Sequence, residues 1–299
     1  MLAIEIASKS GQAISTREIE QMLPPKKEPI NVLTIIKNDS SVSESVSMEN
    51  GFVVLKGCEG LFSERLLREK VSKKYTGLAR TFVSELMQRS PYVELAAVCG
   101  SVAYGSAKPS DDIDIFLLTK ENHMWVTFFK ALLLARAFYT KASINKERAD
   151  FCLSYMQDWA NFEKEVTQQK NALFAREFLS LYIIKGTMQY SALLKRANWM
   201  QNVFPTLYLS KLSEQGTNDL DHGKNRKGQN INGVLNLSTY VLIRSYLSFK
   251  SFLRNLSYKK QHRVKDLFEA RITRGSCVYY SERYSELEAR YSKELLLGR

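Results

Sequence analysis

Residues 97–116 read AVCGSVAYGSAKPSDDIDIF, and they decide the fold of the middle of the chain. An apolar run from Val93 to Cys99 ends in Gly100-Ser101, and after a ten-residue spacer a second run opens as Asp112-Ile113-Asp114-Ile115. On a strand the side chains alternate, so Asp112 and Asp114 share one face while Ile113 and Ile115 point into the other. Two carboxylates held this close repel one another unless a cation compensates, and hard oxygen ligands select Mg²⁺ or Mn²⁺. Gly100 lets the backbone approach a ligand without a Cβ in the way, and Ser101 offers a hydroxyl and an amide to a phosphate. A phosphate cradle and a metal pair are thus expected together. A two-metal site wants a third carboxylate, and Asp150, which opens the apolar run Phe151–Met156, is the candidate if that run lies beside the first.

Outward from this stretch, Leu61–Ser90 keeps apolar residues three and four apart with basic residues between, which predicts a long amphipathic helix stopped by Pro91. A helix near 123–139 and a strand near 148–156 follow, and strand, helix and strand in alternation indicate a mixed α/β domain. Residues 12–57 read as a small module. Thr16 is expected to cap a short helix that Pro24 and Pro25 stop, and Ile30–Asn38 is a second helix. Alternation in Ser41–Ser47, a turn at Glu49-Asn50-Gly51 and a strand at Phe52–Gly57 then predict a hairpin. That order suits a winged helix-turn-helix, but Lys37 is the one basic residue of the second helix, which favours docking or dimerisation over DNA reading. After Gln169 the patterns are helical. The expected organisation is α+β: a winged-helix module over 1–60, a catalytic α/β domain with a small mixed sheet over 61–165, and a helical, basic C-terminal region over 166–299.

The chain has 299 residues, 44% hydrophobic and 25% charged, which excludes disorder, collagen and a disulfide scaffold. Cys58, Cys99, Cys152 and Cys277 are far apart, with no His at ligand spacing, so no zinc site is suggested. The first residues lack a secretory pattern. The two most apolar stretches, 123–139 and 234–256, are interrupted by Lys130 and Arg136, and by Arg244, Lys250 and Arg254. Such charges speak against membrane spans, and a cytoplasmic protein with no membrane partner is expected. The net charge of +12 is concentrated between Lys224 and Arg274, where twelve Lys or Arg face only Asp266 and Glu269. Interleaved with Tyr240, Tyr246, Phe249, Phe252 and Tyr258, these cations could guide a phosphate backbone such as RNA, or form a merely solvated face. His123, His222 and His262 have no partner at useful spacing, and Trp125 and Trp199 read as core.

Gly100-Ser101, the spacer and Asp112-Ile113-Asp114-Ile115 resemble the signature of the DNA polymerase β-like nucleotidyltransferase superfamily. The Gly51–Gly57 close of the first module, Trp125, Asp150–Tyr155, Ala175-Arg176-Glu177-Phe178 and Asn198-Trp199 with Pro205 are similar to a prokaryotic branch of it, over roughly residues 12–210. The resemblance implies that Asp112 and Asp114 bind metal, that Asp150 is the third carboxylate and general base, and that Gly100 and Ser101 hold a triphosphate. It implies a Mg²⁺-dependent enzyme that moves a nucleoside monophosphate from a nucleoside triphosphate to a hydroxyl of a small molecule, an RNA or a protein. The alternative is a nucleic-acid-binding or regulatory protein whose transferase site is degenerate.

Overall fold

In the computed structural model, which describes residues 1–9, 11–23, 31–144, 150–168, 171–214, 233–260, 268–281 and 284–290, the Asp112–Asp114 segment enters the middle of a six-stranded sheet. The first module comes before it: α1 (Leu2–Lys9), β1 (Ile14–Ser15), α2 (Thr16–Gln21), α3 (Val32–Asn38), α4 (Ser40–Ser43), β2 (Val46–Glu49) and β3 (Phe52–Leu55). Its three strands form an antiparallel sheet in the order β1-β3-β2. Asn50 and Gly51, at φ 49° and 80°, make the two-residue turn of the β2–β3 hairpin, a turn that needs left-handed residues at both positions.

Two expectations for this module change. Helix α2 is capped by Ser15 rather than Thr16: the Glu18 amide donates to Ser15 Oγ at 3.2 Å, and the Ser15 amide to Glu18 Oε2 at 2.7 Å, a reciprocal box that Thr16 cannot make from inside the helix. The start of the expected alternating strand is instead α4, because Asp39 accepts from the amides of Ser41 and Val42 and nucleates a turn there. Within the expected span of 1–60, α1 packs Ile4 and Ala7 with Ile14, Ile36 and Val53 into the module's core.

The rest of the chain runs α5 (Gly60–Arg89), β4 (Val93–Val98), α6 (Gly100–Ala103), β5 (Ile113–Thr119), α7 (Met124–Ile144), β6 (Phe151–Asp158), α8 (Trp159–Gln168), α9 (Ala172–Leu179), β7 (Tyr182–Lys185), α10 (Thr187–Arg196), a 3₁₀ turn (Asn198–Asn202), α11 (Pro205–Ser213), α12 (Gly233–Lys260), β8 (Phe268–Thr273) and β9 (Ser276–Ser281). The strand order is β7-β4-β5-β6-β9-β8, with β5 and β6 parallel and every other pair antiparallel. The parallel pair is joined through α7, the long crossover that such pairing needs.

Strand alternation divides the core into two layers. Ile113, Ile115 and Leu117 face α5, α7 and α12, where Tyr75, Phe82, Trp125, Phe128, Tyr240 and Leu247 are buried. Phe116 and Leu118 face the other way, onto Phe162, Phe174, Phe178, Leu193 and Met200 of the helices after β6. The region after residue 166 is therefore not wholly helical: β7, β8 and β9 come from it, and the sheet takes strands from both sides of residue 165. Tyr182-Ile183-Ile184 is too short a β-favouring run to stand out beside an apolar helix. Gly186, at φ 84°, ends it by turning so tightly against Glu94 that a side chain would meet its carbonyl oxygen.

Among the described residues no helix is long and apolar enough to cross a membrane. Of the basic cluster, Lys224, Arg226, Lys227, Arg263 and Lys265 lie outside the described residues, as do His222 and His262, and nothing is described of the Lys259 and Lys260 side chains.

Candidate active site

The site is built from the junction of β4 and β5. The Cys99 amide donates to the Asp114 carbonyl at 3.0 Å, which extends the β4–β5 ladder by one residue and sets Gly100 directly beside Asp114. Gly100 has φ 65°, and a Cβ placed on it would stand 2.6 Å from Asp114 Oδ2. Only glycine meets both conditions, a left-handed backbone and a carboxylate in contact with it.

The loop after Gly100 is fixed at several points. Ser101 lies in α6, and its carbonyl accepts from the Ser106 amide at 2.8 Å and from Ser106 Oγ at 3.2 Å. The Ala107 amide donates to Ser72 Oγ at 3.0 Å, and the Tyr75 hydroxyl to the Pro109 carbonyl at 2.8 Å, so α5 holds the far side of the loop. Asp111 accepts from the Lys108 amide at 2.9 Å and closes the turn from which Asp112 emerges. From the first module Gln12 donates to the Tyr104 carbonyl at 3.3 Å, and Arg65 of α5 donates to the Ala13 carbonyl at 3.0 Å and to Glu18 at 3.2 Å. The loop is thus braced from two sides before any ligand arrives, which lowers the ordering cost of binding.

Asp112, just before β5, is exposed, and Asp114 is half-buried. Ile113 pairs with Phe151 and Asp114 with Cys152 across the parallel ladder. Asp150, also exposed, therefore stands level with Asp112 on the adjacent strand. Among the described residues no three His, Cys, Asp or Glu side chains converge closely enough to enclose an ion. Two carboxylates on alternate residues still suit Mg²⁺, which is commonly bound through one or two carboxylates with the remaining positions filled by water and substrate phosphates. They do not suit a closed zinc site, which needs four nitrogen or sulfur ligands.

The family model for the nucleotidyltransferase domain matches residues 79–180, from the second half of α5 to the end of α9. Residues 79–180 form a nucleotidyltransferase domain. No curated protein and no solved structure matches the chain.

Within the nucleotidyltransferase domain, a further carboxylate that the sequence reading gave no role lies at the site. Glu177 of α9 accepts from the Tyr104 hydroxyl at 2.8 Å, and Arg176 stacks over the Tyr104 ring at 4.9 Å. Burial, then Asp114, Glu177 and Cys152, push the Cys99 thiol well above its ordinary range, a sign that these groups crowd the junction. Burial likewise raises the Tyr104 phenol, so it stays protonated and donates. Glu177 lies 63 residues from Asp114 in sequence, and nothing local marks it.

Two cavities flank the junction. One, of about 130 Å³, is walled by Phe116, Tyr155, Phe178 and Tyr284, with Cys99 and Glu177 at its side. The other, of about 390 Å³, is lined by Asp112, Cys152, Lys250, Arg254 and Tyr279. Lys250 also borders the groove that reaches Asp150. Two cations of α12 therefore share cavities with two of the three expected carboxylates, a juxtaposition that their distance in sequence conceals.

Proposed function

We propose that the protein is a Mg²⁺- or Mn²⁺-dependent nucleotidyltransferase that moves a nucleoside monophosphate from a nucleoside triphosphate to an acceptor hydroxyl and releases pyrophosphate. The observation that carries this reading is the contact between Gly100 and Asp114, because it joins the expected phosphate cradle to the expected metal carboxylate within one turn. The metal, when bound, neutralises phosphate charge and makes the attacking oxygen more acidic. Asp112 and Asp114 hold it, and Gly100 and the amide and hydroxyl of Ser101 receive the triphosphate. Asp150 takes the proton of the acceptor hydroxyl. The new bond forms between that oxygen and the α-phosphorus, and the bond to the bridging oxygen breaks, its electron pair leaving with pyrophosphate. Lys250 and Arg254 supply positive charge on the Asp112 side, where phosphate oxygens need it.

For the first module, the helix and strand order supports a winged helix whose use is docking. Its α3 presents Leu33 and Ile35 to solvent and carries Lys37 as its basic residue. A cytoplasmic setting fits four free cysteines.

The test is transfer itself. Incubation with each α-labelled nucleoside triphosphate, Mg²⁺ or Mn²⁺, and a cell extract separated into small molecules, RNA and protein is expected to label one fraction. Asp112→Asn and Asp114→Asn are expected to abolish both labelling and the joint rise in melting temperature given by metal plus triphosphate. Persistence of that joint rise in the double variant would move the metal site elsewhere, and tight nucleic-acid binding with no labelling would favour a regulatory role.

A further inference from the structure

We infer that α12 is a dimerisation helix through which two copies of this chain associate. Its inner face is already used: Asn236, Tyr240, Ile243 and Leu247 are buried against the catalytic domain. The outer face carries a second apolar series, Leu235, Thr239, Leu242, Tyr246, Phe249, Leu253 and Leu256, at spacings of four and three in strict alternation. That is a heptad seam three turns of the repeat long, with apolar residues at both core positions except Thr239. The seam lies open, with Leu235, Leu242 and Phe249 exposed by 54%, 72% and 63%. Val234, Val241 and Phe252, also exposed, widen it along one edge. On the other side α7 contributes Phe129 and Leu133, and a groove of about 660 Å³ runs between α7 and α12 past Leu242 and Tyr246, offering holes for incoming side chains.

Two features choose a second copy over other occupants. A strict heptad is a requirement of helix packed on helix, and the same seam on another copy is its own complement in a two-fold interface. About ten large apolar side chains stand on or beside the seam, each roughly half-exposed, a patch on the scale of the roughly 800 Å² that one partner brings to a standard interface. Of the cations, Arg244 donates to Tyr240 of the inner face, Arg254 lines the cavity at Asp112, and Lys250 borders the groove beside Tyr246. RNA could use such cations and aromatics but sets no heptad spacing. An anionic membrane surface would accept the flanking cations but sets no heptad spacing. The groove that receives the partner also reaches Asp150, so the interface adjoins the site.

The experiment is sedimentation velocity on the full chain over micromolar to submillimolar concentrations, at low and high salt. A dimer is expected, tightening or holding level as salt rises, because α12 contains five Lys or Arg and no Asp or Glu and the copies repel. Leu242→Glu with Phe249→Glu is expected to weaken it by roughly 100-fold or more, as loss of buried interface anchors does, with the circular dichroism of the wild type. Should that variant fail to fold, Tyr246→Cys keeps the question open to an answer: oxidation is expected to give a disulfide-linked dimer absent from the wild type. A chain that stays monomeric throughout overturns the inference, as does a dimer indifferent to both substitutions. Binding to anionic vesicles or to RNA by a monomer, weakened by salt, overturns it as well.

Discussion

The Ile113 amide donates to the Asp150 carbonyl at 2.7 Å, and this one bond sets the level of Asp150 against the Asp112–Asp114 segment. It extends the parallel ladder in which Ile113 pairs with Phe151. The backbone of Asp150 is thereby set level with Asp112, although Asp150 lies 37 positions from Ile113 in sequence.

Asp150→Asn is therefore expected to separate binding from chemistry. On the proposed assignment Asp112, Asp114 and Ser101 still hold the metal and triphosphate, so the nucleotide-dependent rise in melting temperature should persist. Transfer should fall by about 10² to 10⁴, the usual share of a general base. Wild-type transfer in the variant would remove Asp150 from the mechanism. Asp158 is a poor substitute, because it already accepts from the Asn161 amide at 3.0 Å and from its side chain at 2.8 Å.

Gly100→Ala tests the junction. The added Cβ would meet Asp114 Oδ2 at 2.6 Å from a backbone at φ 65°, so either the carboxylate or the turn must move. Strain of this kind costs on the order of 1–3 kcal/mol, which urea denaturation would register. Metal and triphosphate binding should be lost more completely than stability. A variant with normal nucleotide binding would show that the cradle lies elsewhere.

The parts of this fold that the sequence displays are those fixed by neighbours in the chain. The alternation in Asp112–Phe116, the three-and-four spacing of Tyr75, Ala79, Phe82, Val83 and Leu86 in α5, and the turn at Asn50-Gly51 each carry their own signal. What is hidden is long-range. Glu177 reaches Tyr104 across 73 residues, Lys250 and Arg254 approach Asp112 from the far end of the chain, and β9 joins β6 through Tyr155 and Val278. No local pattern encodes such partners, because the sheet brings them together only after both segments have formed. Thr16 was the nearer residue to the helix, yet the cap is Ser15, because only a side chain outside the first turn can reach back to the Glu18 amide.

Asn236 is a second hidden partner. Its Oδ1 accepts from the Trp125 amide at 3.0 Å and from the Val126 amide at 3.3 Å, so α12 caps the start of α7 from a distance of 111 residues. Trp125 Nε1 donates in turn to the Arg274 carbonyl at 2.7 Å, tying α7 to the β8–β9 turn. Asn236→Leu would leave two buried amides without an acceptor, at a cost of about 1–3 kcal/mol, and loosen α12. Asn236→Asp keeps the acceptor and should retain most of the stability. Equal losses in the two variants, measured by denaturant unfolding, would argue that packing at residue 236 matters more than the cap.

The alkaline limb of stability follows from the buried acids on β6 and β9. Burial pushes the Cys277 thiol from 9.0 up to about 12. Burial, with Glu165 next, raises the Tyr155 phenol well above its ordinary value, and burial with Cys277 and Cys152 raises Tyr279. In each case the folded state holds its proton where the unfolded chain has begun to lose it. These groups therefore add full stability below the unfolded values of 9.0 and 10.0, and that contribution drains away as the pH climbs through them. Each such group removes roughly 1.4 kcal/mol per pH unit once the unfolded form ionises. The urea midpoint is expected to be flat near neutrality, to begin falling at about pH 9 as Cys277 and Cys99, both raised by burial, expose ionisable thiols, and to steepen above about pH 10 as the tyrosines join. Cys277→Ala should lower stability at neutral pH through the lost packing, yet flatten the first part of the decline. A variant whose midpoint falls between those two pH values as steeply as the wild type would show that Cys277 is not the group responsible.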